Sequence, residues 1–255
     1  MTLGICDWGV GGLRLYGELR SARPDLDIVY VDDRGSETYS LLSRDALTDR
    51  IVKVLEAFRS MGIQRVIMAC DSGSTVLGDI VVPGVLATGV VKATLGGMRN
   101  KPYREVGIIG GQRTILSGAY GRALRKLRFI VIQRVSLDLA QLLEAVPQDA
   151  IAIEESVQEL LAPLLKVDAL LLANTHYHLA ASVIHSVLPR VDIIDPSTFA
   201  VAELVQELQG VEPGAGTSVF FTTGEPSEMR TRAQLLYGLK IDAKGLSMHE
   251  PKLAA

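Results

Sequence analysis

Cysteine is scarce in this chain: Cys6 and Cys70 are the two it has. A pair of thiols cannot form a disulfide framework, which points to a reducing compartment and a cytoplasmic protein. Positive charge is not in excess either. The formal net charge of −3 leaves no basic footprint for nucleic acid. No apolar run approaches the length of a membrane span. The opening Met1-Thr2-Leu3-Gly4-Ile5-Cys6-Asp7 has no basic stretch leading into an apolar one, so no signal peptide is expected. Tryptophan occurs once, as Trp8. What remains is an ordinary globular balance, 48% apolar and 22% charged over 255 residues, enough for one large domain or two small ones.

Short apolar runs alternate with amphipathic segments along the whole chain. Val66–Ala69 is a run with branched residues, as in a buried strand, and Cys70 stands where it stops. Asp71, Ser72, Gly73 and Ser74 supply turn and N-cap chemistry for a helix expected from about Ser74. A thiol at that junction lies near backbone N–H groups that favour its thiolate, while the Asp71 charge opposes it. Leu3–Cys6 is a strand cut off by Asp7 and followed by Gly9, Gly11 and Gly12. These glycines suit either an anion-binding turn or close helix packing, and they are not the dinucleotide fingerprint.

The pattern returns further on. Glu105–Ile109 is a strand followed by Gly110, Gly111 and Thr114, then a helix from Ser117 to Lys126 and a strand over Arg128–Gln133. Asp168–Ala173 is a second central run, ending in Asn174, Thr175, His176, Tyr177 and His178. His176 and His178 are too close and too poorly accompanied for a metal site. The tail after Lys240 is expected to be loose. This alternation predicts an α/β protein of two similar Rossmann-like lobes with mainly parallel sheets, and a ligand cleft where their strand ends meet.

Six motifs in order carry a resemblance to the glutamate racemase family of the aspartate/glutamate racemase superfamily. They are Asp7-Trp8-Gly9-Val10-Gly11-Gly12, Ala69-Cys70-Asp71-Ser72, Ser117-Gly118-Ala119-Tyr120, Asn174-Thr175-His176-Tyr177, Ile194-Asp195-Pro196 and Phe220-Phe221-Thr222-Thr223-Gly224-Glu225. The resemblance implies two pseudosymmetric lobes, residues 1–95 with 208–255 and residues 96–207, and a homodimer. It also implies cofactor-independent racemisation of glutamate to supply D-glutamate for peptidoglycan. In that family two cysteines flank the substrate α-carbon, because inversion needs proton delivery opposite to removal.

Cys70 matches the first thiol, and Asn174 stands where the second belongs. By the same resemblance Asp7 assists the first thiol, Thr175 holds a substrate carboxylate and His176 serves beside the second thiol. Tyr39, Ser40, Ser72 and Thr114 are further substrate contacts, and Glu144 loosely matches an acid of the second lobe. Three departures gather at this site. Trp8 replaces a small hydroxyl residue and is expected to fill the pocket. Asp71 replaces an asparagine that binds substrate and is expected to repel a carboxylate or to prefer an amine. Asn174 cannot move a proton near neutral pH.

The ligand expected is an amino acid or small carboxylate, with weak or absent glutamate racemisation. Three readings compete. One is a racemase or epimerase with a non-thiol second group, His176 through water. Another is a single-cysteine enzyme of the superfamily such as a decarboxylase, although those keep the thiol on the other lobe. The last is a non-catalytic descendant that binds a ligand or a protein partner.

Overall fold

A computed structural model describes residues 1–248. Among the described residues ten strands form two sheets. β1 (Thr2–Asp7), β2 (Asp27–Asp32), β3 (Arg65–Met68), β4 (Leu86–Gly89), β9 (Ser218–Thr222) and β10 (Ala243–Gly245) make one, in the order β10-β9-β2-β1-β3-β4. β5 (Glu105–Gly110), β6 (Ile130–Val135), β7 (Ala169–Ala173) and β8 (Asp192–Ile194) make the other, in the order β6-β5-β7-β8. Every pairing in both sheets is parallel. Parallel strands joined by helices are covered on both faces, which is why β7 is buried throughout and reads as unbroken aliphatic sequence.

Parallel pairing also puts all strand C-termini of a sheet at one edge. Asp7 pairs with Asp32 across β1 and β2, and Cys6 with Met68 across β1 and β3. Asp7, Asp32 and the Cys70 turn therefore share an edge. In the second sheet Gly110 pairs with Ala173, so Gly111 and Asn174 start neighbouring connections.

Two helices tie the sheets together. Val90–Met98 sends Val90 and Ala93 into the core around β1 and Val91 and Met98 into the core around β5 and β7. Pro196–Glu207 is capped by Asp195, whose carboxylate accepts the Ser197 N–H at 2.9 Å. It buries Ala200, Val201 and Leu204 against the first sheet, although it directly follows β8 of the second.

Some local expectations change. The helix expected from Ser74 is a single turn, Asp71–Ser74, followed by a 3₁₀ turn at Leu77–Asp79. Gly73 lies flat on Met68, where an added Cβ would come within 2.7 Å of Sδ, and Gly78 gives further propagation little support. The helix expected over Ser117–Lys126 is present as Ala119–Lys126, and a further helix, Gln112–Ser117, precedes it, parted from it by Gly118 at φ +66°. Leu139–Glu144 is a short helix that the sequence pattern did not predict. The tail is not loose after Lys240, because Ala243–Gly245 pairs with β9 as an edge strand. Residues 249–255 lie outside the described part.

Candidate active site

The facing strand ends enclose a cavity of about 510 Å³. From the first sheet come Asp7, Trp8, Tyr39, Ser40, Cys70 and Ser72; from the second come Asn174, Thr175 and His176. Topology alone joins these segments, which lie up to 169 positions apart in the chain.

Gly9 and Gly11 after β1 allow close contact between the two halves, whereas Gly12 packs on Tyr30 and Ala69 of its own half. A Cβ on Gly11 would lie 2.3 Å from Thr175 Oγ1, and one on Gly9 would lie 2.9 Å from Glu144 Oε1. The turn does bind an anion, but its own: Gly12 N–H donates to Asp7 Oδ2 at 2.6 Å. Thr175 Oγ1 donates to the same oxygen at 3.0 Å. Asp7 thus stitches the sheets together beneath the cavity. Burial raises its pKa, against the pull of His176 and these two donors.

Cys70 is the N-cap residue of the one-turn helix and is 9% exposed. Burial, then the Asp7 carboxylate, push its thiol well above the ordinary value; the Gly73 and Trp8 N–H groups pull the other way and lose. The thiolate-favouring N–H groups expected from the sequence are therefore present but outweighed, since one turn carries little dipole and burial disfavours the charge.

Asp71 also departs from expectation. Its side chain is outside the cavity wall and accepts the Tyr120 hydroxyl at 2.7 Å. Burial raises its pKa to about 8, so at neutral pH it is an uncharged carboxylic acid. Thr114 likewise does not line the cavity. It is buried and shares a 3.0 Å hydrogen bond with Ser72, joining the two halves.

Tyr39 and Ser40 lie on a loop held by Asp33. The Tyr39 hydroxyl donates to Asp33 Oδ2 at 2.5 Å, and Arg50 pairs with the same carboxylate. The Ser40 carbonyl accepts the Arg113 N–H at 3.2 Å from the other half.

Trp8 lines the cavity without closing it. Its Nε1–H donates to the Ser36 carbonyl at 3.2 Å, and the Arg34 guanidinium lies 4.9 Å from the ring centroid. Arg34 Nη1 donates to Glu144 Oε1 at 2.5 Å. Glu144 also lies 3.3 Å from His176 Nε2, a charge contact without hydrogen-bond alignment. Burial opposes ionisation of Glu144, yet His176 and Arg34 hold its pKa at about 2. Burial also opposes the imidazolium, but Glu144 and Asp7 raise His176 above its ordinary value. Asn174 Oδ1 accepts the His176 N–H at 2.9 Å, fixing the turn that presents both residues.

Sequence reasoning missed Arg34, Gln112, Ser136 and Arg232 on the cavity wall. Ser136 could have been found, since it follows a strand of the second sheet. Arg34 follows the strand-end pair Asp32 and Asp33. Arg232 carries no local signal, because it sits in the middle of a helix far along the chain.

Among the described residues no helix is long and apolar enough to cross a membrane. No family model matches the chain. A glutamate racemase of Persephonella marina is 30% identical, covering 97% of this chain and 98% of that protein. One of Gloeobacter violaceus is also 30% identical, over 89% and 88%. The crystal structure of a Bacillus anthracis glutamate racemase isoform superposes with a TM-score of 0.88 at 26% identity, over 96% of this chain and 97% of the other. The Thermus thermophilus glutamate racemase, bound to β-chloro-D-alanine, gives 0.85 at 25% over 96% of both. Full-length likeness in sequence and fold places this two-sheet α/β chain in the glutamate racemase family.

Proposed function

We propose that this protein is a glutamate-racemase-like member of the superfamily with a thiol on one face of its ligand only. Its ligand is an amino acid or small carboxylate, and its racemisation of glutamate is weak or absent. The observation that carries this reading is Asn174. It lines the same cavity as Cys70 from the opposite sheet, and its amide oxygen is engaged by the His176 N–H. An amide neither gives nor takes a proton near neutral pH, so the second face depends on His176, the buried and charge-supported group beside it. The proposal carries no cofactor, residues 1–95 with 208–255 and 96–207 as the two lobes, a homodimer as in the family resemblance, and a cytoplasmic setting consistent with two free cysteines.

Incubation with L-glutamate in deuterium oxide tests it, with α-deuteration and optical rotation followed together. One thiol can return a proton to the face it came from, so deuteration without inversion is expected. Loss of a placed acid or base costs about 10²–10⁴ in rate, and inversion should fall at least that far below an ordinary racemase. Asn174→Cys should raise inversion. Robust racemisation by the natural sequence would overturn the reading. A second reading, ligand binding without turnover, is favoured by the raised Cys70 thiol pKa; glutamate bound with neither deuteration nor inversion would select it.

A further inference from the structure

Arg34 is an incompletely used cation in the cavity wall. Its Nη1 donates to Glu144, while Nε and Nη2 donate to no acceptor among the described residues. A guanidinium presents five N–H donors in a rigid fork suited to carboxylates. Here the fork is held against the Trp8 indole, itself fixed by the Ser36 carbonyl. Arg232 reaches the same cavity from helix Pro226–Tyr237 and donates through Nη1 alone, to Glu228 at 2.7 Å. The buried His176 Nε2 also has no aligned acceptor. Two guanidiniums thus line this cavity with donors to spare, beside the Asp7 and Glu144 carboxylates that also line it. Its volume of about 510 Å³ falls within the roughly 300–1,000 Å³ typical of clefts that hold drug-sized ligands. A free amino acid leaves much of that space empty.

We propose that Arg34 and Arg232 form an anion anchor for the distal carboxylate of the ligand, and that this ligand is an acidic amino acid extended at its far end, of acidic-dipeptide size. This rests on the proposed function in taking the cavity as the ligand site. It assigns Trp8 a positive use: the indole positions the Arg34 fork instead of plugging the pocket.

The test is calorimetric titration of the full chain with three probes: L-norvaline, L-glutamate and γ-L-glutamyl-L-glutamate. The dipeptide should bind tightest and norvaline weakest. Charge-assisted hydrogen bonds lost at one arginine should weaken the dipeptide about 10- to 100-fold. Arg232→Gln, at a partly exposed helix site, should show that loss with norvaline affinity unchanged. Arg34→Lys, which keeps the charge but not the fork, should show part of it; both variants should retain the native thermal midpoint within a few degrees. Equal affinity for norvaline and dipeptide, no detectable binding of either anionic probe, or dipeptide affinity indifferent to both substitutions would overturn the anchor. The deuterium experiment is independent of these arms: α-exchange that persists while arginine dependence is missing defeats the anchor and leaves the proposed function standing.

Discussion

The Tyr120 hydroxyl donates to the Asp71 carboxyl at 2.7 Å, tying a helix of the second half to the turn that presents Cys70. Both side chains are almost fully buried. Burial holds a group that looks charged in the sequence as a neutral acid in the fold, against the pull of this bond, and a pH dependence follows.

Asp71 has a folded pKa of about 8, far above the unfolded carboxylate value. The folded state therefore binds more protons than the unfolded state between about pH 4 and 8. The stabilisation is complete below the unfolded value and is lost as pH rises through about 8. Asp32, raised to about 7 by burial, acts in the same direction. The urea midpoint should fall from pH 5 to pH 8, and Asp71→Asn, which keeps an acceptor for Tyr120, should flatten the fall. At pH 8 the variant should be more stable by on the order of 2 kcal/mol. Parallel pH curves for the two proteins would contradict a protonated Asp71.

Cys70 lies on the cavity wall with a raised thiol pKa, and Cys6 is sealed in the core. Iodoacetamide at pH 7 should therefore label Cys70 before Cys6, yet at least tenfold more slowly than a free thiol, whose pKa is about 8.5. The rate should climb steeply with pH, and a cavity ligand should suppress it. Labelling at pH 7 as fast as a free thiol would mean that the sulfur ionises despite its burial.

Glu144 is the main support of the His176 imidazolium. A histidine with a raised folded pKa contributes stability that is present below its unfolded value and lost as pH rises through the folded one. Glu144→Gln should lower the His176 titration midpoint, read from its ring resonances, by about one unit or more. It should cost about 3–5 kcal/mol near pH 5–6, where a buried charge loses its partner, and less once His176 is neutral. An unchanged midpoint would show that Asp7 alone holds the proton.

Much of this molecule is determined by the sequence alone. The strands at β1, β3 and β7, the α/β alternation and the polar strand ends are legible because strand burial and helix amphipathicity write a local period into the chain. Asp7, Cys70, Asn174 and His176 are legible for the same reason: each stands at or just past a strand end, where open sheets place their ligands. Boundaries were legible only to within a few residues, and the one-turn helix after Cys70 was not, since Gly73 is explained by Met68 packed against it.

Only the tertiary structure decided what these residues are in chemical terms. Asp71 reads as a charge, and burial beside Tyr120 makes it neutral. Cys70 reads as a poised thiol, and burial beside the Asp7 carboxylate makes it a weak acid. Trp8 reads as a plug, and its contacts with Ser36 and Arg34 set it against the wall. Arg34, Glu144 and Arg232 come from three distant segments and meet only when the chain folds. Desolvation and charge act through space, over a few ångströms of low-dielectric interior, and no local pattern along the chain encodes those distances.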